Sequence, residues 1–351
     1  MRWNPVYKRE LKVSSRSLRM ASILLIFNSI LAIVALFNMY SVVEQVKMTA
    51  EIQYSRFLEL YIFVSSIEFL MLMFIMPALT ASSVSGERER QTLELMLTTT
   101  MSPRDIILGK LWTSLTMMIL LAVSALPVQS LVFVYGGITV MDIAFLFLCH
   151  AIVAAFTGGI GMFCSSLCKR STLATVCTYT VLVLLVAGTF AVNVFAYRMD
   201  LNEVNSYSFS LHSSMRQASS GGFLYLLLVN PAVTFYAMIN GQAGSGDIRK
   251  AFQGWFGAIP ENFITGHWVA VSLAVQLLIA VLLILAAIYA VTPLRGGRGA
   301  WMAVWRSKNA AARKSASREN EAGEAAAGGI AAGEAAVTAA GSFYEERNYY
   351  A

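Results

Sequence analysis

Charge is what this chain has least of. Asp, Glu, Lys and Arg make up 13% of its 351 residues, against roughly 25% in a typical soluble domain. With 57% of residues hydrophobic, the composition is that of a polytopic membrane protein. Histidine is scarcer still: His150, His212 and His267 are the only three. No His-Glu-x-x-His or nucleophile motif surrounds them, so an intramembrane enzyme has no support. The four cysteines, Cys149, Cys164, Cys168 and Cys177, fall in or beside apolar segments. That placement suggests no disulfide framework. Cys164 and Cys168 share a helix face, but a metal site would need more ligands converging there. Membrane-buried small thiols account for them better.

The formal net charge is +6, and no nucleic-acid partner follows from it. Lys and Arg at the cytoplasmic ends of membrane spans give the same excess. The first nineteen residues carry Arg2, Lys8, Arg9, Lys12, Arg16 and Arg19, and an apolar run of about twenty residues follows. That run can cross a core about 30 Å thick and lacks a small-x-small cleavage site. It reads as a first span behind a basic, membrane-surface segment rather than a signal peptide.

Six runs are long enough to span, near 20–40, 58–83, 107–135, 140–167, 172–197 and 267–292. The expected fold is all-α, with six transmembrane helices and both termini cytoplasmic. On that topology the four cytoplasmic segments hold six, four, two and eight Lys/Arg, which is 20 of the 26, and the outer segments hold six. A seventh apolar stretch, 223–239, is broken by Asn230-Pro231. A full crossing there would put the basic C-terminal segment outside, against the positive-inside rule. It is therefore expected as a re-entrant or interfacial element in a long outer loop, 198–266, before the last span. A small external fold is the alternative. Irregular backbone at membrane depth is tolerated where protein covers it. The expected organisation is an interfacial amphipathic helix in 1–19, a six-span domain in 20–295, and a basic flank with a disordered Ala/Gly/Glu tail in 296–351.

The most informative stretch is 86–110, a charged amphipathic interruption between two spans. Gly86 suits the stop of the second span. A helix from Glu87 would gain Glu87–Arg90 and Arg90–Glu94 pairs, with Glu87 and Glu89 at its electropositive start and Arg88 beside them. Leu93, Met96, Leu97 and Thr100 fall on one face and predict an exposed apolar stripe. Ser102-Pro103-Arg104-Asp105 then reads as a second helix start: Ser102 as N-cap, Pro103 first, Asp105 facing the orphan amides.

The pattern Gly-Glu-Arg-Glu-Arg-x-Thr-Leu-Glu-x-x-Leu-Thr-Thr-x-x-Ser-Pro-x-x-Ile-x-x-Gly-Lys resembles the cytoplasmic signature of ABC-2 type ABC transporter permeases. The six-span hydropathy, the segment Asn4-Pro5-Val6-x-Lys8-Arg9-Glu10 and the long loop before the last span match too. The resemblance covers roughly 3–295 and implies a membrane subunit whose 87–100 helix is the coupling helix for a separate ATPase. Glu87, Arg88, Arg90, Leu93, Glu94, Met96, Leu97, Ser102 and Pro103 would form the docking segment. A second permease subunit, identical or related, and the lipid of the cell membrane are the other implied partners. The tail is outside the family pattern.

This chain has no Walker A motif of its own. Around Gly109-Lys110-Leu111, Arg104 stands where the first glycine belongs and Leu111 where a hydroxyl is needed. No cofactor is expected in this chain; ATP and magnesium belong to the partner. Glu68, in the middle of the second span, is either a lining position on the translocation path or a hydrogen-bonded structural acid. His150 and Asn193 are expected as interhelical hydrogen bonders, and Gly158, Gly159, Gly161 and Ser165 as a close-packing surface. Export is the expected direction of transport, by family analogy. A non-transporting regulator or mechanical relay driven by an ABC ATPase is the alternative.

Overall fold

A computed structural model of the protein describes residues 5–15, 17–49, 55–93, 96, 102–135, 138–211, 217–244 and 248–292. The Ala/Gly/Glu tail therefore lies outside the described residues, as do Glu94 and Leu97. Among the described residues there is no strand, only an isolated bridge between Ser219 and Gly257. The fold is all-α.

A short helix α1 (Pro5–Ser15) precedes the first long apolar helix, α2 (Leu18–Thr49). Next come α3 (Ser55–Ala81), the five-residue α4 (Ser85–Glu89), α5 (Pro103–Tyr135) and α6 (Val140–Leu167). A single rod follows, made of α7 (Ser171–Val183), a π turn (Leu184–Gly188) and α8 (Thr189–Leu211). Six described helices are long and apolar enough to cross a membrane: α2, α3, α5, α6, the α7–α8 rod and the last helix, α12 (Trp268–Val291). Two of them outrun their apolar windows. The first continues to Thr49 and the fifth to Leu211, so the segment after 197 begins as helix and not as loop. Pro77 and Pro127 sit inside α3 and α5, and both helices run through them.

The seventh apolar stretch is a bent pair. A 3-10 segment (Gly221–Val229) meets α9 (Pro231–Ala243) at 93°. Asn230 sits at the corner, where its Oδ1 accepts from the amides of Ala232 and Val233 at 3.0 and 3.4 Å. Pro231 occupies the first helical position, where a missing N–H costs nothing. The Leu228 carbonyl before the break and the Thr234 hydroxyl after it find partners on α12. Ser272 Oγ donates to Leu228 O at 2.7 Å, and Gln276 Nε2 donates to Thr234 Oγ1 at 2.7 Å. Protein thus covers the irregular backbone, as a polar chain at membrane depth requires.

The loop beyond folds back on the same surface rather than forming a separate external body. The amphipathic α10 (Ile248–Phe256) buries Phe252 and Phe256 against Leu224, Leu227, Val233 and Trp268. A one-turn helix α11 (Phe263–Gly266) leads into α12.

Helix α6 is the centre of the bundle, packed against α3, α5, α7 and α12. Its small residues set the spacing. A Cβ on Gly161 would lie 2.1 Å from Thr80 Oγ1 of α3, and one on Gly158 would meet Met76 Cε at 2.4 Å. Close approach of this kind is how membrane helices gain packing energy in the absence of a hydrophobic drive. Capping fixes the starts of both helices of the α5–α6 hairpin. Thr139 and Asp142 form a capping box on α6, and Ser102 and Asp105 one on α5, with Asp105 N donating to Ser102 Oγ at 3.2 Å.

A polar hub at the α4 end of the bundle

Helix α4 is too short to be stable by itself, since one helical turn fixes several residues for a single hydrogen bond. Its neighbours hold it. Ser165 Oγ, at the end of α6, accepts from the amides of Val84 and Ser85 at 3.0 and 2.9 Å. These are donors at the start of a helix that have no intrahelical partner. Arg88 Nη1 donates to the carbonyl of Cys168 at 3.2 Å, and Glu89 Oε2 accepts from Ser171 Oγ at 2.7 Å and from Ser171 N at 3.2 Å. Cys168 and Ser171 bracket the turn between α6 and α7. Glu89 therefore caps the start of the fifth span with a negative charge, where the helix dipole favours one.

The third attachment is ionic. Lys110 Nζ, in the second turn of α5, lies 2.7 Å from Glu87 Oε1 and 2.8 Å from Glu10 Oε1. Only 6% of the lysine side chain is exposed, so the desolvated ammonium needs both carboxylates. Glu10 belongs to α1, whose Val6 is buried and whose Tyr7 hydroxyl lies 3.1 Å from Thr116 Oγ1 of α5. One lysine thus joins α1, α4 and α5. The polar cavity around the hub, about 570 Å³, is lined by Ser82, Ser83, Gly86, Glu87, Arg90 and Lys110, among others.

Several expectations change here. Gly86 does not stop the second span; it lies inside α4, and the left-handed residue that ends the segment is Gln91, at φ 60°. Asparagine tolerates that conformation better than glutamine, so no local signal marked it. Glu87 pairs with Lys110, a partner outside its own helix. Leu93 is buried, 4% exposed, within the main apolar core, so it anchors the segment inward rather than belonging to an exposed stripe. Met96 is half-buried, Arg90 and Gln91 are exposed, and Ser102 with Pro103 opens α5 as expected.

Glu68 is remote from this hub. It is 3% exposed and enclosed by α3, α5 and α6, and its Oε2 accepts from Gln129 Nε2 at 2.6 Å. His150 Nδ1 stands 3.7 Å from Oε1, too far for a hydrogen bond. Asn193 also departs from expectation, because its Nδ2 donates to Thr189 O of its own helix. Asn230, by contrast, does bridge helices, donating from Nδ2 to Val186 O and Thr189 Oγ1 of the fifth span. Among the described residues no group of three or more His, Cys, Asp and Glu is placed to hold a metal ion.

The sequence from residue 4 to 295 matches the family model described as ABC-2 family transporter protein. The chain belongs to the ABC-2 transporter family. No curated protein matches it. Membership makes this multi-pass membrane protein the permease subunit of an ABC transporter, a type of subunit that associates with an ABC ATPase. At the α4 end of this permease a short helix is clamped to three spans and, through Lys110, to α1.

Proposed function

We propose that the α4 end faces the cytoplasm and that residues 86–110 dock a separate ATPase whose cycle drives export through a pair of permease subunits in the plasma membrane. ATP and magnesium are bound by that ATPase. The observation that carries the reading is the triple attachment of α4. A push on it reaches α6 through Ser165, α7 through Glu89 and Ser171, and α5 and α1 through Lys110. The 20-to-6 distribution of Lys and Arg supports the orientation. Glu87, Arg88 and Leu93 act by holding the segment, while Arg90 and Gln91 present its exposed face. Glu68 serves as a hydrogen-bonded anchor between spans rather than a contact for cargo.

Gly86 supplies the test. A Cβ there meets nothing within 4 Å, and the residue borders the open cavity of the hub, so a side chain can be added without a clash at its first atom. Gly86→Trp and Arg90→Glu are expected to abolish co-purification with the cognate ATPase and stimulation of its hydrolysis, while the permease stays monodisperse with an unchanged melting temperature. An ATPase complex that survives both changes would remove the docking assignment. Transport of a labelled cargo into inverted vesicles, or out of them, decides direction.

A further inference from the structure

On the membrane-facing side of the bundle, at the end that carries the bent pair, a cavity of about 510 Å³ lies between α6 and α12. One wall is the α6 stripe from Asp142 through Phe145 and Leu148 to Ile152; the other is α12 from Val269 to Leu277. The floor is α9 at Ala237 and Gly241. The volume is within the roughly 300–1,000 Å³ of small-ligand sites. At about 1.5 Å per residue, Asp142 to Ile152 covers about 15 Å, which is half of a hydrocarbon core about 30 Å thick.

Small residues open the trough. Ala270 and Ala274 line it and are exposed, and Gly241 is glycine for no reason of packing: a Cβ there would meet nothing within 4 Å. The walls close up beyond the trough, where a Cβ on Gly159 of α6 would lie 3.4 Å from Ala280 O of α12. Spread over about 15 Å, about 510 Å³ gives a cross-section of about 34 Å², well below that of a third helix about 10 Å across. The trough fits a single extended chain.

The mouth has a defined charge. Asp142 is the ionisable residue of the lining, and its carboxylate is held in place by Thr139, whose backbone N and Oγ1 donate to Oδ2 at 2.9 and 2.6 Å. Beside it Ile248, also in the lining, opens α10, with Arg249 and Lys250 following. Arg249 is paired with Glu261, so the charge that the lining itself presents is the Asp142 carboxylate.

We propose that this trough binds one acyl chain of a zwitterionic aminophospholipid from the adjacent leaflet, with the headgroup ammonium at Asp142. The proposal rests neither on the ATPase docking nor on the direction of transport.

The test uses the full chain, purified in detergent, delipidated and offered equal amounts of phosphatidylethanolamine and phosphatidylglycerol with identical chains, with bound lipid counted by native mass spectrometry. One phosphatidylethanolamine is expected to be retained in preference. Gly241→Leu combined with Ala274→Phe, both projecting into the open trough, should weaken that binding about tenfold or more. Asp142→Asn should erase the preference between headgroups while a lipid is still retained. Equal retention by the filled variant, or equal binding of the two lipids by the natural chain, overturns the proposal. A diazirine-bearing acyl chain in vesicles gives a readout without substitution. Labelling should concentrate on peptides containing Phe145, Leu148 and Leu277, and labelling spread evenly over α2 and α7 would equally overturn it.

Discussion

The side-chain amide of Asn230 donates to Val186 O at 3.0 Å and to Thr189 Oγ1 at 2.8 Å, so the corner of the bent pair is seated on the π turn of the fifth span. A π turn leaves a carbonyl out of the regular ladder, and in a membrane an orphaned carbonyl is costly. Asn230 supplies the nearer side-chain donor to Val186 O with one end of its side chain, Thr189 Oγ1 standing at 3.4 Å, and caps α9 with the other. Two irregularities, 44 residues apart, therefore satisfy one another.

Replacing Asn230 by Ala should cost about 1–3 kcal/mol, the sum of a lost cap and a half-buried carbonyl left with only the 3.4 Å contact from Thr189 Oγ1. Asn230→Asp keeps the capping oxygen and loses the donor, so it should be as harmful or worse, since it adds a buried charge. Thermal unfolding in detergent reads both. If the two variants melt with the natural chain, the seat is not a structural element.

Lys110→Met should leave Glu10 and Glu87 facing each other without a counter-charge. The site is neither fully buried nor open, so the loss is expected between surface-pair and buried-pair values, about 1–3 kcal/mol. The distinctive consequence is local: amide exchange in Pro5–Ser15 and Ser85–Glu89 should rise while the interior of α6 stays protected. Exchange that rises uniformly would point to general destabilisation instead.

Much of this fold was legible in sequence because membranes impose long apolar windows, and all six were found. The break at Asn230-Pro231 and the Ser102-Pro103-x-Asp105 start were legible for the same reason: each is a local rule about backbone donors. The hub was not. Lys110 meets partners 23 and 100 residues away, and a lysine at the head of a span reads as an ordinary interfacial charge. The inward turn of Leu93 was missed because helical spacing defines a face without saying what it faces. Helix ends were misplaced at Thr49 and Leu211 because backbone hydrogen bonding continues past the apolar window. The π turn carries no composition that distinguishes Leu184–Gly188 from its surroundings.

Glu68→Gln should be nearly silent. A glutamine can accept from Gln129 Nε2 as the carboxylate does, and no charge is required to hold α3 against α5. Glu68→Leu removes the acceptor and strands a buried amide, at about 1–3 kcal/mol. Melting temperatures and transport rates of the two variants separate the roles. A structural anchor predicts that Gln keeps transport, whereas a transport rate lost in Gln at unchanged stability would place the carboxylate on the path of the cargo.

Gly161 and Gly86 offer a matched pair of glycines with opposite expectations. At Gly161 a methyl group would stand 2.1 Å from Thr80 Oγ1 and 3.0 Å from Thr80 Cβ, and the hydroxyl is itself held by Met76 O at 2.9 Å. Neither side chain nor backbone can yield without parting α3 from α6, so Gly161→Ala should cost about 1–3 kcal/mol as an overpacked contact. At Gly86 the same methyl meets open space, and alanine is the better helix former by up to about 1 kcal/mol, so Gly86→Ala should be neutral or slightly stabilising. Adding Thr80→Ala to Gly161→Ala removes the nearer clash and leaves the 3.0 Å contact, which predicts partial rescue. Because α3 leads directly into α4, a separation at Thr80 should also loosen the Ser165 clamp, and exchange at the Val84 and Ser85 amides reports it. Full stability in Gly161→Ala would mean that these two spans do not approach each other through this surface.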